Sequence, residues 1–170
     1  KVEEQAARIR EQNIKAEVQT PFEKGIMKLN FGFNLFFRIK NSIRPESVPN
    51  FMEELQAYRA SIGAGVAAWR QRETAQKHSE EDLQQLAVFL RRYDMLSKVA
   101  YPLMVPPSNP EKSRDDWVTI GASLLEFTRG EIHPAVLAYA KMADAYGQAR
   151  SGDFNQAVIE YKNWLAGDFA

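Results

Sequence analysis

Cysteine is absent from the 170-residue chain, which excludes disulfides, thiolate metal sites and a cysteine nucleophile together. The absence does not fix the compartment, because many secreted domains also do without the residue. An excess of charge of either sign is missing too: 22 Lys and Arg stand against 22 Asp and Glu. A nucleic-acid binder usually carries a clustered basic excess, so no nucleic-acid partner is expected. No apolar run reaches the roughly 18 residues that a membrane-crossing helix needs, and the chain by itself is expected to be soluble.

Histidine is scarce as well, with only His78 and His133, and neither takes part in an H-x-x-x-H or H-E-x-x-H spacing. Both are expected at the solvated surface; either could be a lone haem ligand, but nothing local supports it. A Gly-rich phosphate loop, a G-x-S-x-G elbow and a repeated E-x-x-H are likewise missing. The carboxylate pairs Glu3-Glu4, Glu53-Glu54 and Glu80-Glu81 occupy adjacent helical positions, which do not face one another. No catalytic residue and no metal ligand is therefore assigned, and cofactor-binding residues remain unassigned.

What is present suits a globular helical protein: 45% hydrophobic and 26% charged residues in a length that fits one domain. The reading is a single helical domain over 1–170. Because the chain begins at Lys1 without Met or a signal-like segment, it is expected to be a piece of a larger protein, whose targeting signal or membrane anchor lies elsewhere.

Along the chain, Val2 to Gln19 predicts a helix with a weak apolar face through Val2, Ala6 and Ile9. Thr20-Pro21-Phe22-Glu23 combines an N-cap, a Pro at the first helical position and a Glu at the third, which announces a new helix. Its face would be Phe22, Ile26, Leu29, Phe33 and Phe36. Leu29, Phe31, Phe33, Leu35, Phe37 and Ile39 also alternate strictly, as a half-buried strand would. Helix is preferred, because the start signal is good and no partner strand is in sight. After a connection holding Pro45 and Pro49, the series Phe51, Leu55, Tyr58, Ile62, Val66 and Trp69 predicts a long amphipathic helix. Gly63 and Gly65 inside it suggest a close helix crossing.

Ser79 followed by Glu80-Glu81-Asp82 predicts the next helix start, with Leu83, Leu86, Ala87, Leu90 and Tyr93 buried and a short turn making the two helices an antiparallel hairpin. Tyr101 to Asp116 carries Pro102, Pro106, Pro107 and Pro110 and reads as a crossover loop, the best candidate for a contact surface. Asp115 or Asp116 would start a helix with Trp117, Ile120, Leu124 and Phe127, stopped at Gly130. Pro134 would open another with Val136, Ala140, Ala143 and Tyr146 inward. The last would be capped by Asp153 and use Phe154, Ala157, Val158, Tyr161 and Leu165. Trp117 and Trp164 are expected mainly to pack the core. The fold class is all-α: about seven helices, in antiparallel hairpins with a Pro-rich crossover loop.

Two resemblances arise. Gly152-Asp153-Phe154, Ala157 and Tyr161 resemble the turn and second helix of a tetratricopeptide repeat, but Tyr146 lies two positions too far from Gly152 and no second copy follows at a period of 34 residues. A larger stretch joins Val105-Pro106-Pro107, a polar spacer ending in Asp116-Trp117, and the closing run Gly152-Asp153-Phe154-Asn155-x-Ala157-Val158-x-x-Tyr161-x-x-Trp164-Leu165. Over about residues 50 to 166 this resembles the soluble extracytoplasmic region of fused system II cytochrome c biogenesis proteins. The resemblance implies a parent membrane protein that carries haem across the membrane and promotes its attachment to apocytochrome c. It would place this domain on the extracytoplasmic (periplasmic) side, as a scaffold or docking surface, with other regions of the parent and apocytochrome c as partners. The family's Trp-rich haem-handling motif and its histidines near membrane helices have no counterpart here, so no haem ligand carries over and haem would be handled by the parent. The alternative is a tetratricopeptide-like protein-interaction module without enzymatic activity.

Overall fold

The structure, a computed structural model, describes residues 1–12, 15–107, 115–126 and 131–168. Among these it forms seven α-helices, and the fold is all-α. By the clustering of its contacts the chain divides into two compact units, Lys1–Lys40 and Asn41–Ala170.

The first unit is a helix pair, α1 (Val2–Glu11) packed on α2 (Pro21–Lys40). Glu3 and Glu4 in the first turn of α1 and Arg8 and Arg10 in the last suit the helix dipole, and Ala6 and Ile9 supply its buried face. The start of α2 is a complete capping box. Glu23 N donates to Thr20 Oγ1 at 3.2 Å, while Thr20 N donates to Glu23 Oε2 at 2.7 Å. Those bonds to Thr20 hold the Glu23 carboxyl below the usual carboxylate range.

The ambiguous segment Leu29–Ile39 is thus helix. Its second, strand-like periodicity has a consequence: alternating apolar residues wound at 3.6 per turn are spread around the whole cylinder. Not one residue of α2 is buried.

The second unit contains α3 (Phe51–Glu73), α4 (Glu80–Val99), α5 (Ile120–Leu125), α6 (Pro134–Gly147) and α7 (Ser151–Asp168). α3 with α4 and α6 with α7 are hairpins; α5 packs on α4, and α6 on α3. Both hairpin turns bring one alanine to positive φ, Ala75 at 55° and Ala149 at 54°. In each case the next amide reaches back five residues, Gln76 N to Gln71 O and Arg150 N to Ala145 O, both at 2.8 Å, which closes the helix end.

The core is centred on Phe51, Leu55, Tyr58, Phe89, Tyr93, Ile120, Leu124 and Val136. Tyr58 meets Tyr93 edge-on at 4.8 Å and donates its hydroxyl to Leu124 O at 2.8 Å, tying α3 to α5. Burial pushes the Tyr58 phenol up to about 12. Tyr93 is buried with a hydroxyl that has no hydrogen-bond partner among the described residues. Between α3 and α4, Arg92 and Glu54 form a partly buried ion pair.

Several expected faces shift by one position. Ala68 rather than Trp69 points inward on α3, and Phe89 rather than Leu90 on α4. The reason lies at the crossing. A Cβ on Gly65 would meet Leu86 Cβ at 2.6 Å and Leu86 Cδ2 at 2.7 Å, so one turn further on the inward slot goes to alanine and the indole is turned out. Gly63, by contrast, faces open space.

The two glycines should therefore respond oppositely to alanine. Gly63→Ala is expected to stabilise by about 0.5–1 kcal/mol through helix propensity, and Gly65→Ala to destabilise by about 1–3 kcal/mol through overpacking. Urea unfolding of the two variants checks this; shifts of the same sign would contradict the crossing at Gly65.

The expected helix start at Asp115 or Asp116 is also displaced. Val118 is held extended by reciprocal bonds with Val105, Val105 N to Val118 O at 3.0 Å and Val118 N to Val105 O at 2.9 Å. Helix can begin only after this pairing, and Thr119 provides the cap, accepting from Ala122 N at 3.2 Å. Helix α5 is consequently short and ends at Leu125; Phe127 and Gly130 lie outside the described residues. On α6, Tyr146 is 80% exposed, not inward, because that face belongs to Asp144 and Ala145. Helix α7 starts at Ser151, so Asp153 is not its cap but a first-turn acid paired with Arg150 at 2.6 Å.

Candidate functional site

Three places gather polar or exposed groups. The first comprises the two histidine environments, which are separate from each other. His78 sits in the α3–α4 turn, Nδ1 against Gln76 O at 3.0 Å and Nε2 against Glu80 Oε1 at 2.7 Å. Both contacts favour the imidazolium, the Gln76 carbonyl most, and raise its pKa. Beside it Ser79 caps α4 as expected, accepting from Asp82 N at 3.2 Å.

His133 sits only partly at the solvated surface. It is half-buried as the N-cap of α6, its Nδ1 accepting from Ala135 N at 3.2 Å and its ring edge-on to Trp164 at 5.7 Å. Desolvation lowers its pKa. The cap bond needs an unprotonated Nδ1, so the neutral ring is the one that fits.

Two histidine titrations are therefore expected in NMR, His78 above and His133 below the ordinary value of about 6.5. The stability linkage has opposite signs. The His78 contribution is present at pH below the unfolded imidazole value and is lost as pH rises through the raised folded value. The His133 contribution is complete above the unfolded value and is lost as pH falls through the lowered folded value. Two overlapping titrations at the ordinary value would contradict both environments.

The second place is the base of the Pro-rich segment. Val105 and Pro106 are fully buried and the Val105–Val118 pairing pins the segment there. Around it Tyr101, Leu103 and Trp117 face outward. Trp117, 37% exposed, thus packs the core only in part; the extended backbone at Val118 turns it away. Residues 108–114, including Pro110, lie outside the described residues.

The third is an open polar cleft of about 350 Å³ among the start of α3, α6 and α7. Its rim holds two ion pairs, Lys141–Glu160 at 3.2 Å and Arg150–Asp153 at 2.6 Å. Gln156 and then Lys141 hold the Glu160 carboxyl below its usual range. At its inner end Asp144, buried, accepts from Phe51 N and Met52 N, both at 2.9 Å, one with each carboxylate oxygen. It is a second cap on α3, beside the local cap in which Glu53 N donates to Asn50 Oδ1 at 3.2 Å.

Sequence reasoning passed over Asp144. The available signal was an acid, a poor helix former, between Ala143 and Ala145 on a face that packs.

None of the three places pairs a nucleophile with a base, and among the described residues no group of three or more His, Asp or Glu could hold a metal ion. What the cleft offers is hydrogen bonding and paired charge, and what the loop base offers is exposed aromatic area.

Together these features define an all-α protein of packed hairpins that carries a polar cleft and an exposed aromatic group at the base of its Pro-rich segment. The residues that carry the resemblance to cytochrome c biogenesis proteins are mostly structural: Val105 and Pro106 are in the core, Ala157 and Tyr161 are buried on α7, and Trp164 stacks on Tyr161 at 5.8 Å. Compared with family models, curated proteins and solved structures, the chain matches none of them.

Proposed function

We propose that the chain is an accessory extracytoplasmic domain of a system II cytochrome c biogenesis protein, a scaffold or docking surface while the parent delivers haem to apocytochrome c. The observation that carries the docking role is the loop base. A buried Val105-Pro106 anchor presents Tyr101, Leu103 and Trp117 outward on a rigid helical support. Exposed aromatic groups on such an anchor suit a protein partner, because they offer large contact area at little conformational cost. The assignment to cytochrome c maturation itself rests on the sequence resemblance.

The test is maturation of a reporter cytochrome by the parent protein. Deleting residues 1–170 should slow haem attachment, and Tyr101→Ala with Trp117→Ala should slow it with the fold intact by circular dichroism. A normal rate after deletion refutes the role.

The cleft favours a second reading, a tetratricopeptide-like interaction module that holds a polar peptide segment between α6, α7 and the start of α3. The parent reading frame separates the two: membrane helices on either side support the first, further repeat-like helix pairs the second.

A further inference from the structure

We infer that α2 is a membrane-surface helix, lying in the plane of an anionic lipid interface with Phe22, Leu29, Phe33 and Phe36 inserted. This does not depend on the role in cytochrome maturation.

Half of the ten phenylalanines in the chain fall between Phe22 and Phe37. Wound at 3.6 residues per turn, the four named residues fall within an arc of roughly 60°, and they are 47–69% exposed. The adjoining flank, with Asn30, Glu23 and Met27, is more covered than the stripe, whereas the opposite side carries Lys24 and Arg38 together with Phe31, itself 68% exposed. Yet among the described residues no helix is long and apolar enough to cross a membrane. A helix whose densest apolar stripe is made of Phe and Leu, with basic residues among those on its other sides, suits the bilayer surface rather than its interior.

Charge selects the occupant. The zero net charge of the chain conceals a division: residues 1–40 hold eight Lys and Arg against five Asp and Glu, a net +3, and residues 41–170 hold 14 against 17, a net −3. Within α2, Lys24, Lys28, Arg38 and Lys40 outnumber the single acid Glu23. Lys28, exposed, lies roughly 80° from the nearest edge of the stripe, where a long side chain can bend toward headgroups while its stem stays on the apolar side. Anionic lipid attracts such residues. A second copy laid on the same face would bring these cations together.

The test is co-sedimentation of the full chain with vesicles of phosphatidylcholine containing about 30% phosphatidylglycerol, against pure phosphatidylcholine, at about 0.15 M salt. Binding to the anionic vesicles should be stronger by roughly tenfold or more. Phe33→Ser with Phe36→Ser should weaken it by about tenfold or more, and Lys24→Gln with Lys28→Gln should weaken it severalfold and flatten its salt dependence. All four side chains are exposed, so helicity should be unchanged by circular dichroism. The inference is overturned if the unmodified chain does not bind, if the serine variant binds equally well, or if the chain is a dimer in solution that the serine substitutions dissociate.

Discussion

Asp144→Ala is expected to lower the unfolding free energy of the unit Asn41–Ala170 by about 3 kcal/mol. The carboxylate spends both oxygens on backbone amides at the N-terminus of α3, Phe51 N and Met52 N, from a position 93 residues away in sequence from Phe51. Phe51 itself is fully buried, so deletion leaves a buried donor unpaired, which costs more than the bond alone contributes. The negative charge also opposes the positive end of the helix dipole, an interaction that vanishes with it. Asp144→Asn separates these effects. It keeps one carbonyl acceptor, turns an NH2 group toward the other amide and removes the charge, so an intermediate loss of about 2 kcal/mol is expected. Urea unfolding followed by far-UV circular dichroism measures both. A shift under about 1 kcal/mol for the alanine variant would mean that the α3 start is held by Asn50 alone. The cleft gives a second readout: Asp144 is its inner wall, and a peptide bound there would lose affinity with the loss of order.

The parts of this fold legible in sequence are those decided locally. Thr20-Pro21-Phe22-Glu23 and Ser79-Glu80-Glu81-Asp82 each contain all the groups that form their caps, so spacing alone was enough to place them. The all-α class followed from the same local signals. What was not legible depends on neighbours distant in the chain. Whether Trp69 or Ala68 faces inward turns on how near α4 comes at Gly65, and apolar periodicity does not encode that distance. Thr119 rather than Asp115 or Asp116 starts α5 because Val105, from the far side of the Pro-rich segment, pairs with Val118 and keeps the backbone extended. The partial burial of His133 is illegible for a related reason: its ring packs edge-on against Trp164, which comes from α7. The exposed stripe of α2 is a different case. Phe22, Leu29 and Phe33 look like core residues by type and spacing, and only the structure shows that this face has little protein over it.

The candidate surfaces divide in the same way. Val105-Pro106-Pro107 and Asp116-Trp117 drew attention as sequence, and the structure assigns them unlike roles: the first two residues anchor the segment, whereas Trp117 stands partly outside. An anchor of buried residues carrying an exposed aromatic is a common arrangement for a contact loop, since the scaffold fixes the geometry and the exposed group makes the contact. Substitutions at Val105 should thus act through stability and, under the proposed docking role, those at Trp117 through the partner contact, so the two need different assays.

Gly121→Ala should be the most damaging single-methyl change, about 3 kcal/mol or more. A Cβ there would lie 2.6 Å from Tyr93 O, 2.8 Å from Ser97 Cα and closer still to Ser97 N. All three are backbone atoms of α4, so no rotamer change relieves the contact and α5 must move away as a body. That body is six residues long and carries Ile120 and Leu124 into the core, together with the carbonyl that accepts from Tyr58. Retreat of α5 therefore opens the packing over Tyr58 and Tyr93 and lengthens a buried hydrogen bond at the same time. The three glycine substitutions form an internally controlled series, since each adds the same methyl group. At Gly63 it meets nothing, at Gly65 a leucine side chain, and at Gly121 a helix backbone. Urea midpoints should rank in that order, with Gly63→Ala above the unmodified protein and Gly121→Ala lowest. A Gly121 variant as stable as the Gly65 one would show that α5 can shift without disturbing Tyr58, and solvent protection of the Tyr58 hydroxyl region by hydrogen exchange at Leu124 and its neighbours would then be unchanged as well.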